Sequence, residues 1–161
     1  MATFPTGEFS IYVGLELAED RTGFRYRTGW NSYDMAVHTV YLVNESTVDP
    51  ARFLIENGRD HEDGSWSGVL RIARPARYAG HYLDSSDGWL CAVPSEGCRW
   101  RFHDEGDYCR MVQEGRGRTV KLTDTRQGVS RRLRCTLDPG FQDISVRRFQ
   151  GSTRAGAGDA P

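Results

Sequence analysis

Trp100-Arg101-Phe102-His103-Asp104-Glu105-Gly106-Asp107-Tyr108-Cys109-Arg110-Met111-Val112 reads as a strand, a short acidic turn and a second strand. Trp100 and Phe102 alternate with Arg101 and His103, so the first segment has one apolar face and one wet face, the period of a half-buried strand. The Asp, Glu and Gly that follow have turn chemistry. The same order recurs upstream, where Phe53-Leu54-Ile55-Glu56 precedes turn residues at 60–64 and then Gly68-Val69-Leu70-Arg71-Ile72. Looser copies are Phe9-Ser10-Ile11 and Ile144-Ser145-Val146-Arg147-Arg148-Phe149. Phe9 to Phe53 is 44 residues, Phe53 to Phe102 is 49, and Phe102 to Phe149 is 47. Such spacings fall where a fixed period marks a repeated supersecondary unit.

Outward from this stretch, helical periodicity is nearly absent, and short β-rich runs are separated by Gly, Asp, Asn and Pro, as in all-β sandwiches and barrels. Twelve strands are predicted, at 9–17, 23–28, 35–43, 52–56, 68–73, 81–84, 88–93, 98–103, 108–113, 119–123, 131–137 and 144–149. The expected core is Phe53, Ile55, Leu70, Ile72, Leu90, Trp100, Phe102, Val120, Leu122, Val146 and Phe149. At 161 residues the chain is long enough to bury about two-thirds of its unfolded surface around one core. Residues 1–150 are expected to form a single all-β domain, and 151–161, rich in Gly and Ala, a disordered tail.

Twelve short strands in three units that open on Phe-x-Ile or Trp-x-Phe resemble the β-trefoil superfamily. The element from Trp100 to Val112 is similar to the one with which trefoil repeats begin, and Phe53 to Ile72 offers a second copy. The resemblance implies a barrel of about twelve short strands. The Gln-x-Trp triplet of ricin-type lectins has no counterpart here. The runner-up is a calycin or lipocalin-like up-and-down barrel, which uses the same alternation but encloses a ligand cavity.

Composition narrows the function classes. No apolar run approaches the roughly 20 residues of a membrane-spanning helix, so no membrane partner is expected. The start, Met1 to Glu8, has neither a basic segment nor an apolar h-region, which makes the cytoplasm the expected location. Net charge is −1, yet residues 1–109 carry 10 basic and 17 acidic side chains against 11 and 4 in residues 110–154. A basic half can mark a polyanion face. Aromatic residues for base stacking are sparse there, and strands of a barrel would interleave the two halves, so nucleic acid is disfavoured as a partner. Cys91, Cys98, Cys109 and Cys135 lack the paired two-residue gaps of zinc sites. They are expected to be reduced and half-buried, a Cys91–Cys98 bridge being the competing reading. Neither metal nor cofactor is expected. There is no G-x-S-x-G elbow, no H-E-x-x-H and no phosphate-cradling glycine loop, so enzymatic activity has no motif behind it.

The polar clusters are all acidic turns beside an aromatic residue. Asp60, Asp63 and Trp66 form one, within 57–66, and Asp104, Asp107 and Tyr108 form the matching set one unit later. Glu19-Asp20-Arg21-Thr22-Gly23-Phe24 is read as the copy in the first unit. Carboxylates accept hydrogen bonds from vicinal hydroxyls while an aromatic face stacks on the apolar side of a pyranose, so these sets point to a carbohydrate-binding, lectin-like module. Its partner would be a carbohydrate or another small molecule. On the calycin-like reading a hydrophobic molecule would be bound or cyclised behind a mouth rimmed by Trp30, Tyr33, His38 and Tyr41. His38 and Tyr41 lie three apart, on opposite strand faces, so at most one points inward.

Overall fold

The computed structural model describes residues 4–13, 21–30, 36–45, 48–86, 89–104, 109–123, 131–136 and 144–148. Among them are twelve strands, one at each predicted place: β1 (Phe9–Val13), β2 (Arg21–Trp30), β3 (Ala36–Glu45), β4 (Arg52–Asp60), β5 (Trp66–Arg74), β6 (Tyr82–Ser86), β7 (Trp89–Val93), β8 (Arg99–Asp104), β9 (Cys109–Gln113), β10 (Arg118–Thr123), β11 (Arg131–Thr136) and β12 (Ile144–Arg148). The helical content is a single 3₁₀ turn, Ala76–Tyr78, among the described residues. No helix there is long and apolar enough to cross a membrane.

Every pairing is antiparallel, and two sets can be followed. In the first, β1 pairs with β4, β4 with β5, β5 with β8, β8 with β9, β9 with β12, and β12 with β1. In the second, the hairpins β2–β3, β6–β7 and β10–β11 touch one another through Tyr41↔Cys91, Arg134↔Trp89 and Arg132↔Val43. Grouped four at a time, the strands place one such hairpin at the same position in each group.

The phase of the recurrence differs from the expectation. Phe53, Trp100 and Phe102, and residues 144–148 lie in β4, β8 and β12, whereas Phe9 lies in β1. Phe9 and Phe53 are register partners with ring centroids 5.9 Å apart. They are neighbours across a strand pair, and not the same position in two units. Both strand classes turn an alternating apolar face to one interior, so alternation by itself does not separate them.

The interior is aromatic. Phe9, Phe53, Trp66, Trp100 and Phe102 join Ile11, Phe24, Leu42, Leu70, Ile72, Leu83, Leu90, Met111 and Val120 in one buried cluster. Trp100 is completely buried, and its indole Nε1 donates to the Leu83 carbonyl at 3.1 Å, so the one polar atom of that side chain keeps a partner. Of the expected core, Ile55 is half-buried against this cluster. The side chains of Leu122 and Val146, and all of Phe149, fall outside the described residues. Cys91, Cys98 and Cys109 are free thiols, so the Cys91–Cys98 bridge is not made. Cys91 packs with Tyr41, Val43 and Val48, and burial pushes its thiol up to about 11.

Position 23 fixes how the chain enters β4. A Cβ on Gly23 would stand 2.2 Å from the Asp49 carbonyl oxygen and 3.0 Å from Val48 Cγ2. The segment can therefore lie flat on β2, where the Ala51 N–H donates to the Thr22 carbonyl at 2.9 Å. This contact sets the position of Asp49.

Because Trp100 and Phe102 are enclosed on all sides, Trp100→Ala or Phe102→Ala leaves a void that the neighbouring rings do not refill. Each substitution is expected to lower the unfolding free energy by about 3–5 kcal/mol in urea denaturation. Losses below about 1 kcal/mol at both positions would contradict a packed interior.

Candidate ligand cleft

The first acidic turn joins β4 to β5. The His61 N–H donates to the Ser65 carbonyl at 2.8 Å and the Gly64 N–H to the His61 carbonyl at 3.0 Å, with Gly64 at φ 89°, where glycine carries no Cβ penalty. Asp63 Oδ1 accepts from the Ser65 N–H at 2.9 Å and from its hydroxyl at 2.5 Å, and Oδ2 pairs with Arg101 Nη2 at 3.2 Å. The Ser65 hydrogen bonds, assisted by Arg101, hold the Asp63 carboxyl well below its ordinary 3.8.

Under this turn lies a network that the sequence reading overlooked. Ser65 and Ser67 on one side face Arg99 and Arg101 of β8 on the other, with Ser67↔Arg101 as register partners. Arg101 Nε donates to Ser65 Oγ at 2.9 Å, and Arg99 Nη2 to Ser67 Oγ at 2.9 Å. His61 Nε2 lies 2.8 Å from Ser67 Oγ. Arg99 also reaches Glu114 Oε1 at 3.1 Å and the Asn57 carbonyl at 2.8 Å. The signal for it was two arginines and two serines, each pair two residues apart on adjoining strands. Ser67 is fully buried, so its approach to His61 serves the network and leaves no exposed nucleophile.

Trp66 corrects the expectation for this site. Its ring is 6% exposed, stacks on Phe102 at 4.2 Å with 13° between planes, and meets Phe9 edge-on at 6.4 Å. The register Trp66↔Phe102 puts both rings on the inner face, so Trp66 offers no free surface for a sugar. Asp60 ends β4 and Asp104 ends β8, both exposed. Asp107 and Tyr108 lie outside the described residues, as do residues 14–20. Residues 61–65 join β4 to β5 and residues 105–108 lie between β8 and β9 in the chain, whereas Arg21 to Phe24 of the third cluster are part of β2 itself, so that stretch is not a matching turn.

Of the calycin-type rim, Tyr41 is buried at 8% exposure beside Val43, Val48 and Cys91, which removes it from any mouth. Tyr33 lies outside the described residues, and of Trp30 and His38 only the backbone is described, in β2 and β3.

A concave site among the described residues lies elsewhere. A cleft of about 290 Å³ opens between β2, the segment before β4 and the 3₁₀ turn after β5. β2 contributes Phe24, Arg25 and Tyr26, the segment Val48 and Asp49, and the turn Pro75, Arg77 and Tyr78. Phe24 and Tyr26 share a strand face. Phe24 lies edge-on to Phe53 at 6.1 Å, anchored to the core, while Tyr26 runs past the core and is 57% exposed. It is the exposed large hydrophobic residue among those described. Tyr78 packs edge-on to Phe24 at 6.0 Å and to His81 at 6.2 Å, and carries the Arg77 guanidinium 5.2 Å from its centroid. Three segments far apart in sequence build this cleft, and the one local hint was Tyr26 at a strand position next to an arginine. No family model matches the chain, and no curated protein or solved structure does either.

Asp63 supplies a pH test of the turn. A carboxyl held below its ordinary 3.8 in the folded state stabilises the fold above that pH, and the contribution is lost as the pH falls through the folded value. At neutral pH Asp63→Asn is expected to melt below the wild-type protein, with the gap narrowing progressively below 3.8. A gap that stays constant on acidification would contradict the role assigned to Asp63.

Proposed function

We propose that the protein is a carbohydrate-binding, lectin-like module on a β-trefoil, with the cleft beside Tyr26 as its site. The six-strand succession β1, β4, β5, β8, β9, β12 returns to β1, and three hairpins touch one another beside it, which supports the trefoil reading. The buried rings of Phe9, Phe53, Trp66, Trp100 and Phe102 favour a filled interior over a hollow calycin-like one.

The carrying observation is the exposed Tyr26 ring on a cleft that also bears Asp49 and Arg77. A pyranose presents a patch of C–H groups ringed by hydroxyls. An aromatic face covers the first at little entropic cost, and carboxylate or guanidinium groups fix the second. At about 290 Å³ the cleft stands at the small end of ligand sites, which run from about 300 Å³ upward. That suits one or two sugar rings better than a long polyene. The cleft is favoured over the acidic turns because Trp66 is inside and Asp63 is already engaged by Ser65 and Arg101.

Tyr26→Ala tests the proposal. Glycan-array and calorimetric binding by the wild-type protein is expected to weaken by about tenfold or more, the order of one lost aromatic contact and its buried area. Thermal stability should hardly change, because the ring is 57% exposed. Binding undiminished in the variant, or no glycan bound by the wild-type protein, would overturn it.

A further inference from the structure

Arg77 and Asp49 line the same cleft, yet neither is in an ion pair among the described residues. They stand on different segments, so a ligand seated between them can meet both. Arg77 is also oriented. Its guanidinium lies 5.2 Å from the Tyr78 ring centroid, and Tyr78 is in turn held edge-on by Phe24 at 6.0 Å. A cation over a ring loses freedom while its N–H fork stays available at the edge, the geometry that takes an oxyanion through two parallel hydrogen bonds. A neutral ligand covering this guanidinium would desolvate it with no opposing charge, whereas an anionic group would compensate that cost.

Resting on the lectin-like reading, we infer that the cleft selects an anionic sugar, a residue bearing a carboxylate or a sulfate, with Arg77 receiving the oxyanion and Tyr26 stacking on the ring. Asp49 would repel the oxyanion, so it is placed to accept hydroxyls at the far side of the same sugar. This polarity orients the ligand across the cleft. Lysine at position 77 would keep the charge and lose the fork.

The test is calorimetric titration of the full chain with a hexuronate oligosaccharide, a sulfated oligosaccharide and the carboxyl-reduced neutral form of the first. The hexuronate or the sulfated sugar is expected to bind about tenfold or more tighter than the neutral form, in line with a charge-assisted hydrogen bond. The preferred anion identifies the substituent. The preference should shrink as salt is raised, fall toward unity in Arg77→Ala, and be only partly kept in Arg77→Lys. Equal affinity for anionic and neutral sugars, both weakened by Tyr26→Ala, would overturn the anion assignment and leave the lectin-like reading standing. An anionic preference undiminished in Arg77→Ala would overturn the role of Arg77. No binding of any of the three would overturn both.

Discussion

The stack of Trp66 on Phe102 fixes the position of much else in this protein. It joins β5 to β8 in the register Trp66↔Phe102, and because strand side chains alternate, that one pairing decides the outer face as well. With both rings on the inner face, Ser65, Ser67, Arg99 and Arg101 share the opposite face, where the arginines cover the two buried serines in a hydrogen-bonded set. A slip of one residue would put the arginines into the aromatic cluster, so the register is held by a penalty on each face. The acidic turn above it is a consequence. Asp63 meets Arg101 because the stack has placed Arg101 there.

The cleft follows from a second constraint, the length of β2. Phe24 is drawn into the core against Phe53, but the strand continues to Trp30, so Tyr26 is carried beyond the buried region. The flat approach of residues 48–51, permitted by Gly23, then raises one wall, and the 3₁₀ turn with Arg77 and Tyr78 raises the other. Arg77 and Asp49 meet there without an ion pair among the described residues. In the β4–β5 turn the opposite holds, since the serines and arginines facing each other satisfy themselves. Density of charged residues in sequence therefore pointed to the self-satisfied surface, while the open one is sparse in sequence and assembled only by the fold.

The strands themselves were legible, since period-two alternation and turn residues are local properties, and each of the twelve predicted runs meets an observed strand. The core was legible for the same reason wherever an aromatic sat between polar neighbours, as at Trp100 and Phe102. Trp66 was not, because it opens β5 directly after a polar turn, and its inward face is set by a partner 36 residues away. Phe9 and Phe53 were read as copies of one position and are instead in contact at 5.9 Å, a relation that spacing along the chain does not carry. Among the site residues, Asp60, Asp63 and Asp104 are at the surface as the turn chemistry implies, yet surface position alone did not say which polar groups were already paired.

On the proposed reading the open cleft, and not the acidic turns, receives the ligand. Backbone amide and aromatic chemical shifts of the labelled full chain, followed by NMR while a hexuronate oligosaccharide is added, test it most directly. Saturable shifts are expected at Phe24 to Tyr26, Val48 and Asp49, and Arg77 and Tyr78, with residues 60–65 and Asp104 unmoved. Shifts centred on residues 60–65 or Asp104, or spread through the buried aromatic cluster, would contradict it.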